Sequence, residues 1–285
     1  MESENFFDLK KIPCFGVAGN FTGHLEQAGE AGDFTGIKTA ERNAPKGIFP
    51  TYIPWRTQKI PEYLNEFPFD AEKIIFPEGE EKIQIEPECA LICSVEWREK
   101  KMHKIFPEFF GASNDCSIRK AGAKKISMKK NWGASSKGLS RNLIPVDEFS
   151  ERGKIGGYKI CSFLLRGKKI FQYGEESSIK NYSYIFETLT SWAAEKFNTQ
   201  KDEGPLENLH EYFLSAEFPA RIMISIGATR YTEFGEKNFL NAGDVSFVTL
   251  YPESRFDKNS VAEKILDGTI FAEKEISVLA QKIVL

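Results

Sequence analysis

Histidine is scarce in this 285-residue sequence, with three copies, and cysteine is both sparse and odd in number, with five. The cysteines (Cys14, Cys89, Cys93, Cys116 and Cys161) are scattered and mostly embedded in apolar runs. That placement argues against a disulfide framework and for reduced thiols filling core positions. No uninterrupted apolar stretch approaches the ~20 residues that a spanning helix needs. The acidic start MESENFFDLKK has no apolar signal core. The expected location is therefore the cytoplasm, with no membrane partner. Neither sign of charge dominates, since 38 Lys and Arg stand against 41 Asp and Glu. A net charge of -3 leaves no strong field to steer nucleic acid, and no nucleic-acid partner is expected. Internal repeats, low-complexity segments and Pro/Gly/Ser-rich linkers are absent too, so the chain reads as a single domain over residues 1–285.

What is present is an ordinary globular composition, 41% hydrophobic and 28% charged, with an unusually aromatic interior expected from 24 Phe. Helical periodicity is rare, whereas short runs alternating apolar and polar residues are common. The strongest strands are expected in EKIQIEPECALICSVEW, GYKICSFLLRGKKIFQYG, ARIMISIGATRYTEFG and GDVSFVTLY. The second of these reads as a hairpin turning near Gly167. One helix is predicted over about Tyr182–Asn198, where Ile185, Leu189, Trp192, Ala193 and Phe197 recur at spacings of three and four.

Two carboxylates stand out in IQIEPECALICSVEW. Alternation puts Glu86 and Glu88 on one face, with Cα atoms roughly 6.6 Å apart from the strand rise. Side chains at that spacing can converge on one ion, and without a cation one of them would protonate. Oxygen-only ligands favour Mg²⁺, Mn²⁺ or Ca²⁺ over zinc. Pro87 between them cannot donate a ladder hydrogen bond and suggests an edge or bulge position. From the pair alone, the ordinary reading is the wet face of an amphipathic strand. A third ligand would reverse it, and the loop FFGASNDCSIRK offers Asp115, although Asx-rich punctuation can also be only a turn.

Taken in order, GNFTGH, IEPECAL, SNDCSIR, the lysine in GASSKGLSRNLIPV, the hairpin RGKKIFQYG and NAGDVSFVTLYP resemble the motif series of the fumarylacetoacetate hydrolase family, as a remote branch. The resemblance covers about Pro13–Pro252, which leaves 253–285 as a C-terminal extension. It implies an α+β, mainly β fold, a mixed β-roll or wound β-sandwich with a few flanking helices, and assembly as a homodimer. It places a Mg²⁺-like ion on Glu86, Glu88 and Asp115, with coordination positions open to a small 2-oxo acid or 1,3-dicarbonyl substrate.

By the same resemblance His24 is the general base, suited to neutral pH by its ordinary pKa. Lys137 supplies positive charge to a developing oxyanion. Asn20, Arg119, Gln172 and Thr249 fall at substrate-orienting or supporting positions. The implied activity is metal-dependent hydrolysis of a carbon–carbon bond. The alternatives are a decarboxylase or isomerase on the same metal site, or a non-catalytic protein that binds metal or small acids.

The pattern also departs from the family. The Glu expected three residues after the histidine is Gln27, which leaves Glu30 as the substitute. The Asp expected three residues after the lysine is Ser140, and only Thr249 and Pro252 survive from the run after the Gly-Asp strand. These losses fall on water activation more than on the carboxylates, which weakens hydrolysis more than enolate chemistry. The segment RKAGAKKISMKK beside Lys137 reads as a solvated basic surface. His103 and His210 carry no functional signal.

Overall fold

The computed structural model describes residues 7–120, 122–215 and 218–285, so the first six residues of the acidic start lie outside the described residues. Strands dominate. β1 (Cys14–Ala18) and β2 (Gly47–Tyr52) pair antiparallel. β3 (Lys73–Ile75) and β4 (Ile83–Gln84) are short, and β5 (Pro87–Arg98) and β6 (Lys101–Asn114) form a long hairpin. Three two-residue strands come next in the chain, β7 (Ser117–Ile118), β8 (Gly138–Leu139) and β9 (Ile144–Pro145). The hairpin of β10 (Tyr158–Arg166) and β11 (Lys169–Ser178) turns at Gly167, whose φ of 62° suits a residue without a Cβ. β12 (Arg221–Ser225), β13 (Val245–Pro252) and β14 (Ser277–Val284) complete the set.

Seven strands make one sheet in the order β2-β1-β12-β5-β6-β8, with β9 also on β6. Five make a second in the order β11-β10-β13-β14-β3, and β4 pairs with β7 as a separate ribbon. The sheets are mixed, because β1–β12 and β14–β3 run parallel while the other pairs are antiparallel. The largest apolar cluster joins Leu91 and Phe110 of the first sheet to Leu164 and Val248 of the second, so the two pack face to face. This is the mainly β roll with few helices expected from the sequence. All five cysteines are buried and free, as their apolar contexts implied. Among the described residues no helix is long and apolar enough to cross a membrane.

Three expectations are corrected here. β5 is an interior strand between β12 and β6, not an edge, and Pro87 is tolerated because it is the first residue of the strand. The predicted helix begins later, as α2 (Phe186–Thr199), after the four-residue α1 (His24–Gln27). Ser183 and Tyr184 donate their backbone N–H groups to the backbone and side-chain oxygens of Asn20, at 2.9 and 2.8 Å, and are held outside the helix. The third correction concerns the basic segment, whose Lys129 and Lys130 are buried rather than solvated. The remaining helices are α3 (Leu209–Leu214), α4 (Glu233–Lys237) and α5 (Lys258–Leu266). Residues beyond 253 thus supply α5 and β14, and β14 is an inner strand of the second sheet.

Glu207, just before α3, is buried and accepts a short hydrogen bond from the Ser127 hydroxyl, while its Oε2 has no partner. Burial pushes this carboxyl up to about 7. Between the unfolded value near 4.5 and about 7 the unfolded chain releases a proton that the folded chain keeps, so stability falls as pH rises through that window. The full effect is about 3 kcal/mol. Glu207→Gln should therefore gain stability over the wild type between pH 5 and pH 8, read as the difference of two urea titrations. An unchanged difference would contradict the assignment.

Candidate metal centre

The register of the β5–β6 hairpin builds the centre. Pro87 pairs with Asn114, so Glu86 lies beside Asp115, and the Asp115 N–H donates to the Glu86 carbonyl at 3.0 Å. Asn114 Oδ1 accepts from the Glu86 N–H at 3.1 Å and fixes the corner. Glu88 pairs with Ser113 and projects on the same face as Glu86. One oxygen from each of Glu86, Glu88 and Asp115 falls within 4.8 Å of the others, and all three side chains are buried. The pair is therefore not the wet face of a strand. Cross-strand carboxylates this close repel unless cations intervene.

Four cations do intervene. Arg119, just after β7, places NH1 2.9 Å from Glu30 Oε1 and NH2 2.8 Å from Glu86 Oε1. It also donates to Gln84 Oε1 at 2.7 Å and to the Tyr231 hydroxyl at 2.8 Å. Lys130 Nζ lies 2.5 Å from Glu86 Oε2 and 3.0 Å from Asp115 Oδ2. Lys137 Nζ lies 2.8 Å from Asp115 Oδ1 and donates to the Cys116 carbonyl at 2.6 Å. Lys129 reaches Glu30 at 3.1 Å and Asp33 at 3.0 Å. The four cations thus meet Glu30, Asp33, Glu86 and Asp115, and none of them pairs directly with Glu88.

The environments split the two strand carboxyls. Burial would raise Glu86, but Lys130 and Arg119 outweigh it and hold this group well below its ordinary range. Burial, then the charges of Asp115 and Glu86, pushes Glu88 well above it. The two acids of the pair are driven in opposite directions, Glu86 toward its charged form and Glu88 toward its protonated form, as expected for carboxyls sharing a site without an ion. Glu88 accepts the Gly227 N–H at 3.1 Å, and Gly227 has φ 110°, a conformation that L residues with a Cβ rarely adopt.

His24 opens α1 after Gly23, and its ring stacks obliquely on Tyr231 with centroids 5.2 Å apart. Neither ring nitrogen has a hydrogen-bond partner. Burial lowers its pKa to about 4 against the opposing charge of Glu86, so the ring is neutral at pH 7 and can accept a proton. His24, Glu30, Glu86, Glu88, Lys130 and Phe49 surround a chamber of about 10 Å³. That is room for about one water.

The structure therefore brings together Glu86, Glu88, Asp115, His24, Glu30, Arg119 and Lys137. It does not bring the other candidates to the chamber. Asn20 uses its amide to donate to the Tyr184 and Ile226 carbonyls, at 2.9 and 2.8 Å. Gln172, on β11, donates to the Gly174 carbonyl and accepts from Lys258 Nζ, at 3.0 and 3.1 Å. Thr249, on β13, donates to the Cys161 carbonyl at 3.0 Å. Gln27 exchanges hydrogen bonds with the Tyr231 backbone at 2.9 and 3.2 Å, tying α1 down. Lys129, Lys130 and Tyr231 were missed by sequence reasoning, and nothing in the local pattern separates those lysines from surface ones.

The donor set fits a hard divalent ion. It is all oxygen, three-sided and buried. Both Asp115 oxygens and Glu86 Oε1 also lack an aligned hydrogen-bond donor, although cationic nitrogens lie within 3.0 Å of them. The ion pairs around these oxygens are contacts of charge and leave lone pairs unused.

Similar solved structures identify the fold. Cg1458 crystallised with an inhibitor matches with a TM-score of 0.53 at 13% identity, over 95% of this chain and 76% of that one. A 2-keto-3-deoxy-D-arabinonate dehydratase complexed with magnesium and 2,5-dioxopentanoate gives 0.52 at 12%, over 96% and 73%. A protein from Yersinia pestis CO92 assigned to the fumarylacetoacetate hydrolase family gives 0.50 at 13%, over 96% and 94%. The chain has the fumarylacetoacetate hydrolase fold, far from these examples in sequence. No curated protein matches it by sequence. Over residues 30–283 it belongs to DUF5718, a family of unknown function.

Proposed function

We propose that the protein is a divalent-metal-dependent enzyme acting on a small 2-oxo acid or 1,3-dicarbonyl through a carbanion formed next to the carbonyl, that is, as a decarboxylase or isomerase. The observation that carries this reading is a buried imidazole with both nitrogens free, sharing a chamber with two of three converging carboxylates. Glu86, Glu88 and Asp115 would hold the ion. When bound, a Mg²⁺-like ion supplies Lewis-acid polarisation of a chelated carbonyl. In isomerisation His24, neutral at pH 7, accepts the carbon-bound proton and returns it to another carbon; in decarboxylation the bond to the carboxylate carbon breaks, carbon dioxide leaves, and His24 relays a proton from water to the carbon left behind. Lys137 orients Asp115, and Arg119 orients Glu86 and Glu30.

The dehydratase of the same fold holding magnesium and 2,5-dioxopentanoate supports the same pairing of ion and small oxo acid.

Carbon–carbon hydrolysis, the activity the sequence resemblance implies, is the second reading, favoured by the room for about one water beside His24. Against it, Glu30 is held by Arg119 and Lys129 and makes no hydrogen bond to His24, so the ring lacks the carboxylate partner of a water-activating dyad.

The test uses Glu88→Gln, which copies the protonated form of Glu88 and can still accept the Gly227 N–H. At 100 times its Kd an ion adds about 2.7 kcal/mol to wild-type stability, read as a rise in melting temperature with Mg²⁺ or Mn²⁺. The variant should melt like the ion-free wild type and gain nothing. With acylpyruvates and oxaloacetate, product analysis by NMR separates decarboxylation and isomerisation from hydrolysis. No ion-dependent shift in the wild type would sink the metal reading.

A further inference from the structure

We propose that Lys130 is a tethered counter-ion that occupies the position of the divalent ion and must swing out before that ion binds, so that loading the centre is a competition within the chain. This inference rests on the metal reading above.

Lys130 differs from the other cations of the cluster in what it bridges. Its ammonium touches Glu86 at 2.5 Å and Asp115 at 3.0 Å, two of the three acids of the centre, and it lines the chamber together with Glu86 and Glu88. Lys137 meets Asp115 alone and is pinned from behind by the Cys116 carbonyl. Arg119 meets Glu86 from the side of Glu30 and Tyr231.

The chamber makes the same point by volume. Lys130 lines it, and about 10 Å³ remains, which does not accommodate an ion together with a chelating oxo acid while the lysine stays in place. Charge makes it a third time, because an ammonium and a divalent cation on the same two carboxylates repel strongly in a buried site.

The means of release is also visible. Lys130 comes directly after the short turn Ile126–Lys129 rather than sitting on a strand. Its neighbour Asn131 anchors the backbone by donating to the Thr51 and Glu66 carbonyls, at 2.9 and 3.1 Å. The movement is therefore rotation of a four-carbon stem off the Phe49 ring, over which Nζ sits 5.4 Å from the centroid. The fold keeps its shape while the site exchanges one cation for another.

The experiment is titration calorimetry with Mn²⁺ alone, no substrate, on the wild type and on Lys130→Met, which retains length and apolar packing over Phe49. Removing the competitor should tighten Mn²⁺ at least about tenfold, a modest share of the coupling measured for close charge pairs. A crystal structure of Mn²⁺-loaded wild type should show the ion among Glu86, Glu88 and Asp115, with Lys130 Nζ moved away from them. If Mn²⁺ binds the wild type and Lys130→Met equally, or the variant more weakly, the tether is overturned and the metal reading stands. An ion bound beside an unmoved Lys130 overturns it likewise. No Mn²⁺ binding to either protein overturns the metal reading and the tether with it. Should Lys130→Met fail to fold, Lys130→Gln and the loaded wild-type structure carry the test.

Discussion

Arg119→Met is expected to lower the unfolding free energy by about 3–5 kcal/mol, the cost of breaking a buried ion pair by removing one partner. The guanidinium is nearly buried and serves four groups at once, Glu30, Glu86, Gln84 and the Tyr231 hydroxyl, at 2.7–2.9 Å. Methionine fills much of the volume but leaves two buried carboxylates facing an apolar chain. Lys129 and Lys130 remain as partners and limit the loss. Arg119→Lys should recover only part of it, because an ammonium cannot reproduce the planar fork that reaches all four acceptors. Urea denaturation of the three proteins reads the effect. A loss below about 1 kcal/mol, the range of an exposed pair, would show that Arg119 does not organise the cluster.

The second large effect concerns chemistry rather than stability. His24→Gln is expected to reduce turnover by about 10²–10⁴-fold, the usual contribution of a positioned proton carrier, with most of the loss in kcat. Mn²⁺ binding measured without substrate should be unchanged, because the ion's ligands are Glu86, Glu88 and Asp115 and the imidazole makes no hydrogen bond to them. Equal turnover in variant and wild type would remove His24 from the mechanism and leave the carboxylates as a binding site. Loss of Mn²⁺ binding would instead make the ring a structural support of the centre.

Parts of this centre could be read from the sequence because each obeys a simple periodicity. Alternation places Glu86 and Glu88 together, and the recurrence of Leu189, Ala193 and Phe197 marks the buried stripe of α2. The cations were hidden by the inverse of the usual pattern. In the turn before Trp132 the apolar Met128 is exposed, while Lys129 and Lys130 are buried. Composition reads such a stretch as surface, since lysine is rarely buried unless paired, and its partners lie 44 and 15 residues away in Glu86 and Asp115. Gln172 and Thr249 show the opposite case. Motif order selected them, but their polar atoms close hydrogen bonds within the second sheet.

The two register shifts of the β5–β6 hairpin bear on the centre in a way that residue identity does not reveal. Between the turn and the centre, Pro87 lies eleven residues before Arg98, whereas its partner Asn114 lies thirteen after Lys101. His103 and Glu108 are the surplus residues, each skipped by the ladder. A regular hairpin of these two strands would put Ala112 opposite Pro87 and carry Asp115 past the end of the pairing. One skipped residue alone would turn the aspartate to the other face, and two restore the face while advancing it by a full pleat. The ligand set is thus encoded partly as arithmetic along the chain, in how many amino acids separate an acid from its turn.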